Sequence, residues 1–128
     1  MEKDERINES PFARTQLMLG AAAMERLSQC RVAVFGIGGV GGYVVEALAR
    51  SGVGALDIID DDRVALSNLN RQIIATLRTV GQYKVDAAEE RIGEINPQCA
   101  VRKHRRKREH LVGRSFLRRG ARLEQSLS

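Results

Sequence analysis

The glycine-rich run Gly36-Ile37-Gly38-Gly39-Val40-Gly41-Gly42 constrains this chain more than any other feature. Before it stands Arg31-Val32-Ala33-Val34-Phe35, a short run of β-branched and aromatic residues that reads as a buried strand. After it, Tyr43–Arg50 has the Ala, Leu and Glu content of a helix, and Gly52 follows in the usual terminating position. A second apolar strand, Ala55–Ile59, then runs into Asp60-Asp61-Asp62. Strand, glycine turn, helix and strand in about thirty residues make a βαβ unit. The predicted fold class is therefore α/β, with a Rossmann-like parallel sheet and flanking helices. In that context Gly36-x-Gly38-x-x-Gly41 predicts a phosphate-binding loop, because glycines admit a tight turn and the helix N-terminus offers unpaired N–H groups. Asp60, nineteen positions beyond Gly41, falls where a carboxylate accepts ribose hydroxyl protons. A turn needed only for packing is the structural alternative.

The next motifs bear on which nucleotide. Asn68-x-x-Arg71-Gln72 and Gly81-x-x-Lys84 place an Arg and a Lys beyond the carboxylates. A dinucleotide carries one pyrophosphate, which a glycine loop satisfies with few side-chain cations. Two further cations suit the three phosphates of ATP and the charge that builds as pyrophosphate departs. Either cation taken alone is more often a solvated surface residue. The alternatives from other classes are an NAD-dependent oxidoreductase, for which Arg71 and Lys84 are superfluous, and a non-catalytic nucleotide-binding fragment.

With 128 residues there is room for one domain. Aromatics are only 4% and Trp is absent, so a core drawn from the 43% hydrophobic residues must be aliphatic. No apolar stretch approaches the roughly 20 residues of a membrane span, and the charged start, Met1-Glu2-Lys3-Asp4-Glu5-Arg6, has no secretory pattern behind it. Two isolated cysteines, Cys30 and Cys99, provide neither a disulfide framework nor a four-ligand zinc site. A cytoplasmic protein is expected, without membrane partners.

Three segments are expected along the chain. Residues 1–30 read as helical, with Leu17, Met18, Ala21, Met24 and Leu27 forming a stripe that packs outside the sheet, and with Gly20 as a break. Residues 31–101 form the nucleotide-binding core. It continues through a short helix near Ser67 and Asn68, a second helix over Val85–Ile95 that Asn96-Pro97 stops, and the opening of a third strand at Cys99-Ala100-Val101. With two strands and part of a third, the second strand is expected to be an open edge. Residues 102–128 carry 10 Lys or Arg against 2 Asp or Glu, a charge of +8 within a total of +5, which leaves the body at −3. Arg102–Arg108 is an unbroken run of basic residues, and such a run repels itself and is expected to stay solvated.

The segment Arg31–Pro97 resembles the superfamily of ubiquitin-activating enzymes and the adenylyltransferases of thiamine and molybdopterin synthesis. The likeness rests on Gly36-Ile37-Gly38-Gly39-Val40-Gly41, Ile59-Asp60-Asp61-Asp62, Ser67-Asn68-Leu69-Asn70-Arg71-Gln72, Val80-Gly81-Gln82-Tyr83-Lys84 and Ile95-Asn96-Pro97. Within it, Glu46–Gly54, Asn70-Arg71-Gln72-Ile73 and the upstream Phe12–Gly20 look most like the tRNA threonylcarbamoyladenosine dehydratases. The resemblance implies that Gly36, Gly38, Gly39 and Gly41 form an ATP loop, that Asp60 holds the ribose, and that Asp62 sits beside the phosphates or a metal. It implies that Asn68, Arg71 and Lys84 bind the triphosphate, with Arg71 and Lys84 catalytic through stabilisation of the transition state. Arg14 would reach the site across a homodimer interface. ATP and Mg2+ would be the cofactors, the reaction adenylation of a carboxylate, and the substrate a modified tRNA adenosine cyclised with loss of water. A ubiquitin-like sulfur-carrier protein, or a protein of a cysteine-desulfurase system, is the alternative partner. Beyond Val101 the family continues with a strand, an acidic segment that supplies a magnesium-binding Asp, and a substrate-binding portion. This chain instead turns basic, so the resemblance covers the N-terminal half of the adenylyltransferase domain. An incomplete or frameshifted copy is expected, with a basic RNA-binding arm as the alternative.

Overall fold

The computed structural model describes residues 10–107 and the backbone of residues 122–124. Two short helices open it, α1 (Ala13–Leu19) and α2 (Ala21–Ser28), separated at Gly20. Strand β1 (Arg31–Phe35) leads through the glycine loop to α3 (Val40–Ser51), which ends at Gly52, and then to β2 (Ala55–Ile59). A 3-10 turn (Leu66–Asn70), α4 (Lys84–Ile95), β3 (Ala100–His104) and β4 (Arg122–Glu124) follow.

All strands are parallel, in the order β3-β2-β1-β4. This is the α/β, Rossmann-like sheet with flanking helices that the βαβ pattern predicts. Val32 and Val34 of β1 and Leu56 and Ile58 of β2 share a core with Val45 and Ala49 of α3 and Val85, Ala88 and Ile92 of α4. Ala33, Phe35 and Ile59 form a second, smaller cluster. The core is aliphatic apart from Phe35 and the thiol of Cys99, as the composition requires. Cys30 and Cys99 are free thiols.

Three expectations are corrected. The second strand is no open edge: β2 is central, paired along its full length with β1 on one side and β3 on the other. The basic run is not unstructured from its start: the third strand, whose opening is expected at Cys99-Ala100-Val101, begins at Ala100 and runs to His104 through the first residues of that run. Two residues of the run have acidic partners there, which offsets part of its self-repulsion, although Arg102 and Lys103 stay exposed. Lys103 Nζ lies 2.9 Å from Asp86 and 3.0 Å from Glu89, both on α4, and His104 Nε2 lies 3.1 Å from Asp57 Oδ1. Further along the same segment, the backbone of Arg122–Glu124 pairs with Val32–Val34. The remainder of the expected basic tail lies outside the described residues. Finally, the stripe on α1 does not pack: Leu17 and Met18 are each 87% exposed, and only Met24 and Leu27 of the stripe are partly covered.

Candidate functional site

Parallel strands deliver their carboxyl ends to one edge of the sheet, and a crevice forms there. At that edge the Gly36 N–H donates to Ile59 O (2.8 Å) and the Asp60 N–H to His104 O (3.0 Å), which ties the ends of the three strands together. Gly36 and Gly39 have φ of 78° and 56°, conformations that L side chains rarely adopt, and so the loop turns sharply into α3. Asp60 braces this loop, because its Oδ2 accepts from the Ile37 N–H (3.0 Å) while its Oδ1 accepts from the Asp62 N–H (2.8 Å).

The strap after β2 is stitched to the start of α4. The Val64 N–H donates to Gln82 O (2.8 Å), the Lys84 N–H donates to Asp62 O (2.9 Å), and Arg63 bridges Tyr83. This stitching brings Lys84, twenty-two residues beyond Asp62 in sequence, back to the carboxylates. Its Nζ is 3.9 Å from Asp62 Oδ2 and its side chain is nearly buried. The 3-10 turn is held by Asn68, whose Oδ1 accepts from the Ala65 N–H (2.8 Å), and that turn presents Arg71 and Gln72.

The resulting cleft has a volume of about 560 Å³. Gly36, Gly38, Gly39, Asp60, Asp62, Arg71 and Lys84, all expected from the sequence, line it together. Gly41 and Asn68 do not line it: Gly41 is buried inside α3, and Asn68 supports the turn that carries Arg71. Arg14 stands exposed on α1 and does not line the cleft of its own chain. Four further polar lining residues were not singled out in the sequence: Asp61, Gln72, Arg106 and Lys107. Gln72 stood in the Asn68-x-x-Arg71-Gln72 motif, but nothing in its type or spacing separates a lining amide from a surface one. Arg106 and Lys107 were hidden inside a charge run.

A Cβ at Gly38 would lie 2.9 Å from both Gln72 Nε2 and Lys84 Nζ. The absent side chain therefore leaves a cradle walled by a cation and an amide. The nearly buried Gln72 Oε1 accepts no hydrogen bond among the described residues, so an acceptor at this cradle stays open to a donor. The donors suit a polyphosphate, being loop N–H groups, an ammonium and a guanidinium, and the Asp60 carboxylate beside them is an acceptor of the kind that takes ribose hydroxyls. The carboxylates of Asp60, Asp61 and Asp62 lie within 4.8 Å of one another and offer the hard oxygen donors that Mg2+ prefers.

Comparison with known proteins matches residues 12–119 to the ThiF family. The tRNA threonylcarbamoyladenosine dehydratase of Bacillus subtilis is 51% identical over 90 residues, covering 70% of this chain and 35% of that protein. The molybdopterin-synthase adenylyltransferase of Escherichia coli is 44% identical over 77 residues, covering 60% of this chain and 31% of that protein. Among solved structures, the Escherichia coli tRNA N6-threonylcarbamoyladenosine dehydratase in complex with ATP superposes with a TM-score of 0.77 at 32% identity. That match covers 90% of this chain and 58% of the other. The chain spans about a third of the length of the curated relatives it matches.

Proposed function

This chain belongs to the ThiF family, and on that premise we propose that it binds ATP in the glycine-loop cleft and uses it to adenylate a carboxylate. The observation that carries the reading is the meeting of the loop with two side-chain cations, Arg71 and the nearly buried Lys84, in one cleft. A dinucleotide would leave that cationic wall without work.

ATP is the substrate: a carboxylate oxygen bonds to its α-phosphorus as the bond to the β-phosphate bridging oxygen breaks, and pyrophosphate leaves. The chain's own part is to hold and to stabilise. Loop N–H groups at Gly38 and Gly39 cradle the phosphates while Gly36, its own N–H spent on Ile59 O, makes the turn that presents them, and Asp60 accepts from the ribose hydroxyls with the lone pairs its two backbone partners leave free. Arg71 and Lys84 bear the negative charge that grows on the departing pyrophosphate. Asn68 serves this chemistry through the turn that carries Arg71. Asp61 and Asp62 would hold a magnesium ion, whose contribution is neutralisation of phosphate charge.

For the acceptor we propose the threonylcarbamoyl carboxylate on a tRNA adenosine, supported by the dehydratase relatives. Ring closure within the activated group then expels AMP, and the net change is loss of water. No protein nucleophile is needed, because the attacking group belongs to the same molecule and positioning suffices. Calorimetric titration should show ATP bound more tightly than NAD. Asp60→Ala should weaken ATP about tenfold, the worth of a hydrogen bond to a charged group. Mass spectrometry of tRNA incubated with the chain and ATP should record the loss of one water. Preference for NAD would reject the nucleotide assignment, and ATP binding without dehydration would reject the acceptor.

A further inference from the structure

We propose that Gln72 is a positioning residue of the cleft, whose side-chain amide takes the Lys84 ammonium as a hydrogen-bond partner and holds it against the nucleotide phosphates. The proposal rests on the ATP reading above. Gln72 is 8% exposed, and its Oε1 is the one buried side-chain oxygen or nitrogen without a hydrogen-bond partner among the described residues. A buried acceptor left empty is costly, so a native chain that keeps one has a use for it. An oxygen acceptor cannot meet a phosphate oxygen directly; it needs a donor between.

That donor is at hand. Lys84 Nζ and Gln72 Oε1 lie 2.9 and 3.0 Å from the same point, the place where a Cβ of Gly38 would stand. Among the described residues the ammonium makes no hydrogen bond and has one ion pair, 3.9 Å to Asp62 Oδ2. It carries three donors. A phosphate arriving on the Gly38 loop takes one of them, and Asp62 and Gln72 Oε1 take the others, so the lysine is fixed from three directions. Gln72 Nε2 faces the same point at 2.9 Å and is itself a donor to phosphate. The amide thus offers an acceptor to the cation and a donor to the anion. Its backbone is held in place, with the Gln72 N–H donating to Asn68 O (2.9 Å) and the Ala75 N–H donating to Gln72 O (3.0 Å).

The test is a double-mutant cycle on the full chain, read by calorimetric titration with ATP and with adenosine. Gln72→Met keeps the length and removes the orphaned acceptor, so the free chain should melt no lower than the parent. Its affinity for ATP should fall about tenfold while adenosine is unaffected. In a Lys84→Met background the same change should alter ATP affinity little, because the two residues act as one unit. Unchanged ATP affinity, equal losses for ATP and adenosine, or full additivity with Lys84→Met would each overturn the proposal. So would a lowered melting temperature with intact ATP binding, the mark of a purely structural residue. If Gln72→Met does not fold, Gln72→Glu decides. Its carboxylate pairs with Lys84 in the free chain, so melting should rise while ATP affinity falls, and undiminished ATP affinity overturns the role. Failure of the parent chain to bind ATP would remove the ATP reading together with this one. ATP binding indifferent to Gln72 removes this one alone.

Discussion

Asp57 is the only buried carboxylate among the described residues, and it sits on β2 between Arg31 of β1 and His104 of β3. Arg31 donates to it from both Nε and Nη2, the latter at 2.9 Å. Burial alone would push the Asp57 carboxyl up, but the hydrogen bonds from Arg31 and His104 pull it below the ordinary aspartate value. A carboxyl depressed in the folded state stabilises the fold above its unfolded pKa, and that contribution drains away as the pH falls through the native value. The pair should therefore act in full at neutral pH and be lost below about pH 4. Asp57→Asn should cost about 2–3 kcal/mol at pH 7, since it leaves a guanidinium without its counter-charge. Urea denaturation across pH measures it: the gap from the parent should narrow below about pH 4, and a gap constant with pH would refute the assignment. The sequence offered no sign of this network, because an Asp in an apolar strand pattern gives no hint of what faces it. The site was more legible. Gly36, Gly38, Gly39, Asp60, Asp62, Arg71 and Lys84 are motif residues, each of a type that its chemistry requires, and the fold gathers them in one cleft. Gln72, Arg106 and Lys107 needed the three-dimensional return of the chain to be seen.

At the scale of elements, the joint between α2, β2 and β3 depends on one position. The Gly54 N–H donates to Leu27 O (3.1 Å), and Gly54 O accepts from the Ala100 N–H (3.0 Å). A Cβ on Gly54 would fall 1.9 Å from the backbone oxygen of Ser28, where nothing flexible can yield. Gly54→Ala should therefore force α2 off the start of β2 and cost about 2–4 kcal/mol. Gly93 in α4 is the control: a Cβ there meets nothing within 4 Å, so Gly93→Ala should stabilise by about 1 kcal/mol through helix propensity. Opposite shifts of the denaturation midpoint are expected, and a Gly54→Ala chain as stable as its parent would show that the joint tolerates separation. Among the elements, β1, α3, β2 and α4 were readable because short apolar runs and the 3.6-residue period report burial directly. The end of β3 was not, because Lys103 and His104 read as part of a self-repelling run until Asp86, Glu89 and Asp57 are found beside them. For α1 the periodicity gave the helix but not its packing: a stripe marks a face without saying whether the same chain covers it, and Leu17 and Met18 stay bare.

The whole molecule is electrostatically lopsided, with a body of −3 and a C-terminal segment of +8. The structure shows where the boundary between them falls. After β3 the chain passes Tyr83, whose ring lies 4.0 Å from the Arg63 guanidinium and 4.4 Å from that of Arg105, and then Arg106 and Lys107 line the nucleotide cleft. The basic edge and the proposed site of chemistry are thus continuous, an arrangement that would bring a polyanion's backbone to the cleft. Contacts of this kind are made to phosphates and carry no sequence information. RNA binding by the full chain should therefore be strong at low salt and indifferent to sequence. Each phosphate neutralised releases counterions, so engagement of about five or more should give a slope of log affinity against log salt of about −4 or steeper. That corresponds to a loss of roughly two to three orders of magnitude between 50 and 200 mM salt. Fluorescence anisotropy with a tRNA and an unrelated RNA of equal length measures both properties. Replacing Arg105, Arg106 and Lys107 with Ser should flatten the slope by about one for each phosphate contact removed, with equal effect on both RNAs. An affinity insensitive to salt, or a preference for tRNA that survives the triple substitution, would mean that the RNA is recognised by shape elsewhere on the molecule rather than held by this edge.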